Sequence, residues 1–98
     1  MSEKLRFDLG RVLATPGALE SLEASGQAPA DFLDRHASGD WGDVDKDDWA
    51  ANDGALQDGG RIVSAYRTLR GAKIWIITEA ADDEGRRAAT TILLPDEY

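Results

Sequence analysis

The residues with the greatest chemical reach lie in one stretch, Arg35-His36-Ala37-Ser38-Gly39-Asp40-Trp41-Gly42-Asp43, which an acidic run extends to Trp49. It holds the sole histidine, two of the three tryptophans and several carboxylates. Histidine is the one side chain present whose ordinary pKa lies near neutrality. With Asp40, and with Glu79 from later in the chain, His36 makes a candidate general acid–base group. Adding Arg35 and Asn52 completes the polar set a small hydrolase or nuclease would use. The competing account is structural: His36 sits in the last turn of a helix, favours its C-terminus and hydrogen-bonds a carboxylate. No nucleophile motif accompanies the histidine, so the structural account is the stronger and no catalytic residue is assigned.

The run Asp43-Val44-Asp45-Lys46-Asp47-Asp48 has the look of a calcium loop but fails its spacing. The sixth position is Asp48 where the loop needs Gly, and the twelfth is Gly54 where it needs Glu. These aspartates fall where a helix N-terminus favours negative charge. Cysteine is absent, which removes disulfides, thiol nucleophiles and Cys-based zinc sites. No metal and no cofactor is expected. Trp41, Trp49 and Trp75 offer either an aromatic recognition surface or core packing, and the short chain favours packing. Asn52 lies on the Trp49–Leu56 stripe, so an inward amide must find partners. The nearest are the Gly39–Gly42 turn and Asp40. The expectation is that His36, Asp40 and Asn52 converge over Trp41. A binding site would then comprise Arg35, His36, Asp40, Trp41, Asn52 and Glu79.

The elements that must position these residues are legible as patterns. Leu5, Phe7 and Leu9 alternate with polar residues and lead to Val12-Leu13, which predicts a first strand bent near Gly10. Thr15-Pro16-Gly17 opens a first helix that Gly26 stops. Pro29 opens a second, over Ala30 to Ala37, and Gly39 ends it. Asp45 caps a third, from about Lys46 to Gln57, stopped by Gly59-Gly60. Gly39 or Gly42 should take a positive φ around the Asp40-Trp41 turn. Arg61 to Leu69 alternates as a strand, and Arg70-Gly71 marks a hairpin. Lys73 to Ala80 carries Ile74-Trp75-Ile76-Ile77, apolar on both faces, so it is an inner strand with Ile74 or Ile76 buried. Ala81 to Arg87 is a charged hairpin loop, and Ala88 to Leu94 a last strand that Pro95 stops. The fold class is α+β: a small antiparallel sheet, made of a three-stranded C-terminal meander plus the N-terminal strand, with two to three short helices packed on it.

Length and charge bound the rest. The chain has 98 residues, enough for one small domain spanning 1–98 with one modest core. No apolar run spans a bilayer, and Met1-Ser2-Glu3-Lys4 opens no signal-peptide apolar stretch, so a soluble cytoplasmic protein is expected. The 19 acidic residues against 11 Lys and Arg give a net charge of -8. That field repels phosphate backbones and disfavours direct nucleic-acid binding, because Arg61, Arg67, Arg70, Arg86 and Arg87 are spread over several elements. It permits a protein partner with a basic or DNA-binding surface. The oligomeric state is open.

Six blocks carry a resemblance. They are Ala14-Thr15-Pro16-Gly17-Ala18-Leu19; Arg35-His36 with Gly39-Asp40-Trp41-Gly42; Asn52 with Ala55-Leu56; Arg61-Ile62 with Ser64-Ala65-Tyr66; Lys73-Ile74-Trp75-Ile76-Ile77-Thr78-Glu79-Ala80; and Thr90-Thr91, Leu93-Leu94-Pro95 and Glu97-Tyr98. Together they resemble a family of small bacterial proteins usually labelled plasmid-related or hypothetical, and sometimes given a type I restriction label. The resemblance implies a mobile-element or defence-island setting and no mechanism. The charged Ala81–Ala89 connection is longer than the family's short turn. Two functions follow as expectations. One is a small accessory or binding protein of mobile elements, in its sharpest form an anti-restriction DNA mimic blocking a host defence protein through an acidic surface. The other is a small hydrolase or nuclease using His36, Asp40 and Glu79.

Overall fold

The computed structural model describes residues 5–98; Met1 to Lys4, read above for a targeting signal, lie outside the described residues. The described residues fold as a four-stranded sheet with three helices, an α+β arrangement as the patterns imply. The elements are β1 (Arg11–Ala14), α1 (Pro16–Ala24), α2 (Pro29–Ser38), α3 (Lys46–Asp58), β2 (Ile62–Arg67), β3 (Lys73–Thr78), β4 (Ala89–Leu93) and a closing 3₁₀ turn, Pro95–Glu97.

The sheet order is β1-β4-β3-β2. The three C-terminal strands form the expected antiparallel meander. The N-terminal strand joins it, but parallel to β4, so the sheet is mixed. Parallel pairing is open to it because three helices separate β1 from the meander, giving the long connection that a parallel strand needs.

Local chemistry sets the helix limits. Thr15 caps α1, accepting the Ala18 N–H at 3.2 Å, with Pro16 in the first helical position. Gly39 ends α2 at φ 95°, and Asp45 caps α3 by accepting the Asp48 N–H at 2.8 Å. The first strand is shorter than its alternation predicts, because Leu5 to Gly10 are not strand. Gly10 takes φ 64° with its backbone against the Arg87 and Ala88 carbonyls, where a side chain would not fit. That bend frees Phe7 to pack across the molecule on the His36 and Trp41 rings, at centroid distances of 5.3 and 6.1 Å.

Two apolar clusters hold the inner side of the sheet. Ala18 and Leu22 of α1 and Phe32 of α2 cover Tyr66, Ile74, Ile76 and Ile92. Both Ile74 and Ile76 are fully buried, as the inner-strand reading requires, and Trp75 faces the other way. The second cluster joins Trp41, Ala55 and Ile62, with Phe7, Val44, Trp49 and Leu56 around it.

The β2 edge of the sheet is closed by the chain itself. Asn52 of α3 donates from Nδ2 to the Val63 carbonyl at 2.8 Å and accepts the Val63 N–H at 3.1 Å. One position pair further on, the Ala65 N–H reaches the Trp41 carbonyl at 3.1 Å, and the Asp43 N–H reaches the Ala65 carbonyl at 2.6 Å. An open edge is a template for unwanted pairing, and here an amide side chain and a turn stand in for a fifth strand.

Candidate functional site

The structure distributes the expected site residues among three separate tasks. His36 is 0 % exposed. Its Nδ1 lies 2.5 Å from Ser64 Oγ, and its Nε2 lies 2.8 Å from Thr78 Oγ1. Thr78 Oγ1 lies 2.7 Å from Thr90 Oγ1, and Thr90 donates to the Leu9 carbonyl at 2.7 Å. The order of protons along this line follows from its end. Each hydroxyl has one hydrogen. Thr90 spends its hydrogen on Leu9, so Thr78 must donate to Thr90 and accept from His36. Nε2 therefore carries the imidazole proton, and Nδ1 accepts from Ser64. Burial, aided by the nearby positive charge of Arg87, pushes the His36 pKa down to about 3. The ring is thus neutral, edge-on to Phe7 and Trp41, and sealed. Ser64, Thr78 and Thr90 are all 0 % exposed as well, so the serine–histidine pair has no route to a substrate.

The expected convergence of His36 with Asp40 and Asn52 is replaced by this arrangement. Trp41 does pack against the imidazole, with centroids 5.8 Å apart. Its Nε1 donates to Asp53 Oδ1 at 3.0 Å. The partners of Asp40 and Asn52 are elsewhere. Asp40 takes the Arg35 Nε at 2.8 Å and the Gly42 N–H at 3.1 Å, and its own carbonyl accepts from Tyr66 at 2.6 Å. The Arg35 guanidinium holds its carboxyl below the usual carboxylate range. Arg35 also lies over the Tyr66 ring, 4.6 Å from the centroid. Asn52 closes the β2 edge. Glu79 is exposed at the end of β3 and bonds to neither. A carboxylate partner for His36 was expected because local spacing favours Asp40. Hydroxyls won because the α2 face carrying His36 lands on the sheet face holding Ser64, Thr78 and Thr90, in two neighbouring cross-strand rows.

Gly39 and Gly42 both take positive φ, at 95° and 76°. Gly42 is the more constrained, because a Cβ there would overlap the Ala65 carbonyl and the Tyr66 ring. The motif around Trp41 therefore builds the turn that grips β2.

Arg87, read as part of a charged loop, is buried at 7 % exposure. Its guanidinium donates to the carbonyls of Gly60 at 2.7 Å, Glu79 at 3.0 Å and Ala55 at 3.0 Å, and sits over the Phe7 ring. It ties the end of α3 to β3 and β4. Its neighbour Arg86 stays outside with Asp82 and Glu84. Only the alternation of sides along a strand-like segment distinguishes the two.

Two hollows open on the opposite side of the sheet. One hollow of about 550 Å³ is floored by Val63, Ala65, Trp75 and Ile77 and walled by Asp43, Asp45 and Asp48. A second, of about 540 Å³, is floored by Ile77, Thr91 and Leu93, with Glu79 and Glu97 at its rim. Arg61 and Tyr98 line both. Arg61 donates to the Tyr98 hydroxyl at 3.0 Å, and the Tyr98 ring meets Trp75 edge-on at 5.8 Å. Among the described residues no three carboxylate or histidine side chains gather closely enough to hold a metal ion. Among them too, no helix is long and apolar enough to cross a membrane. Compared with known proteins, the chain matches no family model, no curated protein and no solved structure.

Proposed function

We propose that this chain is a binding protein of the accessory type carried by mobile elements, and that it acts on a partner protein through its acidic surface. In its sharpest form it is an anti-restriction protein that occupies the basic, DNA-binding surface of a host defence protein in the manner of a DNA mimic. One observation carries the reading. The sole histidine is sealed in the core, uncharged and bonded at both nitrogens. The hydrolase reading built on His36, Asp40 and Glu79 thereby loses its acid–base group. The net charge of -8 and the setting implied by the family resemblance add to the binding reading.

The test has two arms. Purified protein is incubated with plasmid DNA and RNA, and no turnover is expected. The immobilised chain is then exposed to native-host lysate with and without nuclease treatment. Any protein captured is purified, recombined with the chain and challenged with duplex DNA. A stoichiometric complex that survives nuclease, weakens with salt and yields to competing DNA is the expected result. Turnover abolished by Glu79→Gln, or capture that disappears with nuclease, overturns the proposal.

A further inference from the structure

We infer that the open face of the sheet is a docking groove for an extended peptide segment of a protein partner, one that places an arginine or lysine two positions from a bulky apolar side chain. The inference rests on the binding reading above and specifies its partner.

An antiparallel sheet face left to water alternates toward polar residues. This one instead presents Val63, Trp75 and Ile77, all partly exposed, between its polar positions. The helices and their apolar stripes are committed to the other face. The volumes of the two hollows fall in the range of pockets that take large side chains or small ligands.

Charge selects the occupant. Five carboxylates line the two hollows, Asp43, Asp45, Asp48, Glu79 and Glu97, against the two bases Arg61 and Lys73. Arg61 is already engaged by Tyr98, through its hydroxyl and its ring face. Asp45 caps α3 and Glu97 accepts from Thr15 and the Leu94 N–H. Among the described residues, the carboxylates of Asp43, Asp48 and Glu79 make no ion pair. A cation entering the first hollow meets the Trp75 ring below and the aspartates beside it, and both attract it. The second hollow offers an apolar floor. Side chains two apart on an extended peptide stand on the same side, separated by about 7 Å, so one strand can offer a side chain to each of two adjoining hollows that share Arg61, Ile77 and Tyr98 in their linings.

The experiment titrates the ¹⁵N-labelled chain with an acetylated, amidated hexapeptide bearing one arginine and, two positions on, one leucine. Expected are amide shifts at Trp75, Ile77 and Asp48, saturating below roughly 1 mM peptide, with binding weakened about tenfold or more by Asp43→Asn with Asp48→Asn. Asp43 makes no side-chain bond among the described residues, and Asp48 adds only the favourable charge of the first turn of α3. The double variant should therefore stay folded with a small drop in its melting temperature, which is measured alongside. Glu20→Gln with Glu23→Gln, on α1, removes the same charge elsewhere and should leave affinity unchanged. Replacing the peptide's arginine by glutamate should abolish binding. The groove assignment is overturned by any of three results. These are no saturable shifts, equal weakening by the α1 variant, and groove shifts that follow protein concentration without peptide and so reveal a second copy as occupant. If the peptide fails while a partner complex from the capture experiment forms and ignores Asp43→Asn with Asp48→Asn, the groove is refuted and the binding function stands. If neither forms, both fall.

Discussion

The two faces of the sheet divide the chemistry of this protein in an instructive way. The inner face carries the reactive residue types: a histidine, a serine and two threonines in one hydrogen-bonded line. All are sealed beneath α1, α2 and the Phe7–Trp41 pair. The outer face carries no histidine; it holds the two hollows, the partly exposed Trp75, the hydroxyls of Thr91 and Tyr98, and carboxylates outside any ion pair among the described residues. The histidine line and the two hollows over the sheet are thus on opposite sides. Burial turns the His36 line into a positioning device, since a buried polar line is tolerated only when each member has a partner. Every buried side-chain nitrogen and oxygen among the described residues has one.

The sharpest test of that division compares tryptophans. Trp41→Ala should destabilise the protein by about 3–5 kcal/mol, because a fully buried ring leaves a cavity beside His36 and Phe7. Trp75→Ala should cost less, about 1–2 kcal/mol, since its ring is only partly buried and its loss opens no enclosed cavity. Urea unfolding of the two variants measures both; equal losses would break the contrast between the faces.

Gly42→Ala should cost about 2–4 kcal/mol, combining a left-handed backbone with overlap against β2. Gly71→Ala, also at positive φ but with open space around it, should lose only the backbone part. Comparable melting temperatures for the two would show that the turn does not grip the strand as described.

The histidine line gives a pH signature. The unfolded chain protonates His36 below its ordinary pKa of 6.5, while the folded chain resists until about 3. Stability from this group is therefore complete above pH 6.5 and is lost as pH falls, at about 1.4 kcal/mol per pH unit across that window. His36→Ala should cost about 1–3 kcal/mol near neutrality, by orphaning Ser64 and Thr78, and should flatten that slope. Denaturant midpoints between neutral and mildly acid pH decide it. A wild-type slope equal to the variant's would mean that the ring is reached by protons. The imidazole ¹⁵N shifts should independently show Nε2 protonated and Nδ1 bare.

The smallest effect is expected at the surface. Asp40→Asn removes the ion pair with Arg35 while its amide oxygen can still accept from Gly42, so the loss should stay below about 1 kcal/mol and shrink further in salt. A larger loss in thermal melts would move Asp40 from the surface into the set of groups that hold the turn.

Much of the frame was determined by the sequence alone. Capping residues, prolines and glycines act within a few residues of themselves, so Thr15, Pro16, Pro29, Gly39, Asp45 and Gly59 mark the helix limits directly. Alternation identified the meander, and the unbroken Ile74–Ile77 run identified its inner strand. Tertiary structure alone decided which partners the polar residues found. His36 and Asp40 are four apart, but His36 bonds residues 28 and 42 positions away. That choice depends on strand register, which pairs Ile62 with Thr78 and Thr78 with Thr90 and so brings the three hydroxyls beneath one helix. Asn52 likewise sits on an apolar stripe, and only the nearness of an open strand edge makes Val63 its partner. The parallel pairing of β1, the burial of Arg87 beside an exposed Arg86, and the placing of the hollows have the same origin. Each depends on contacts between elements distant in the chain, and no local pattern encodes the address of a distant partner.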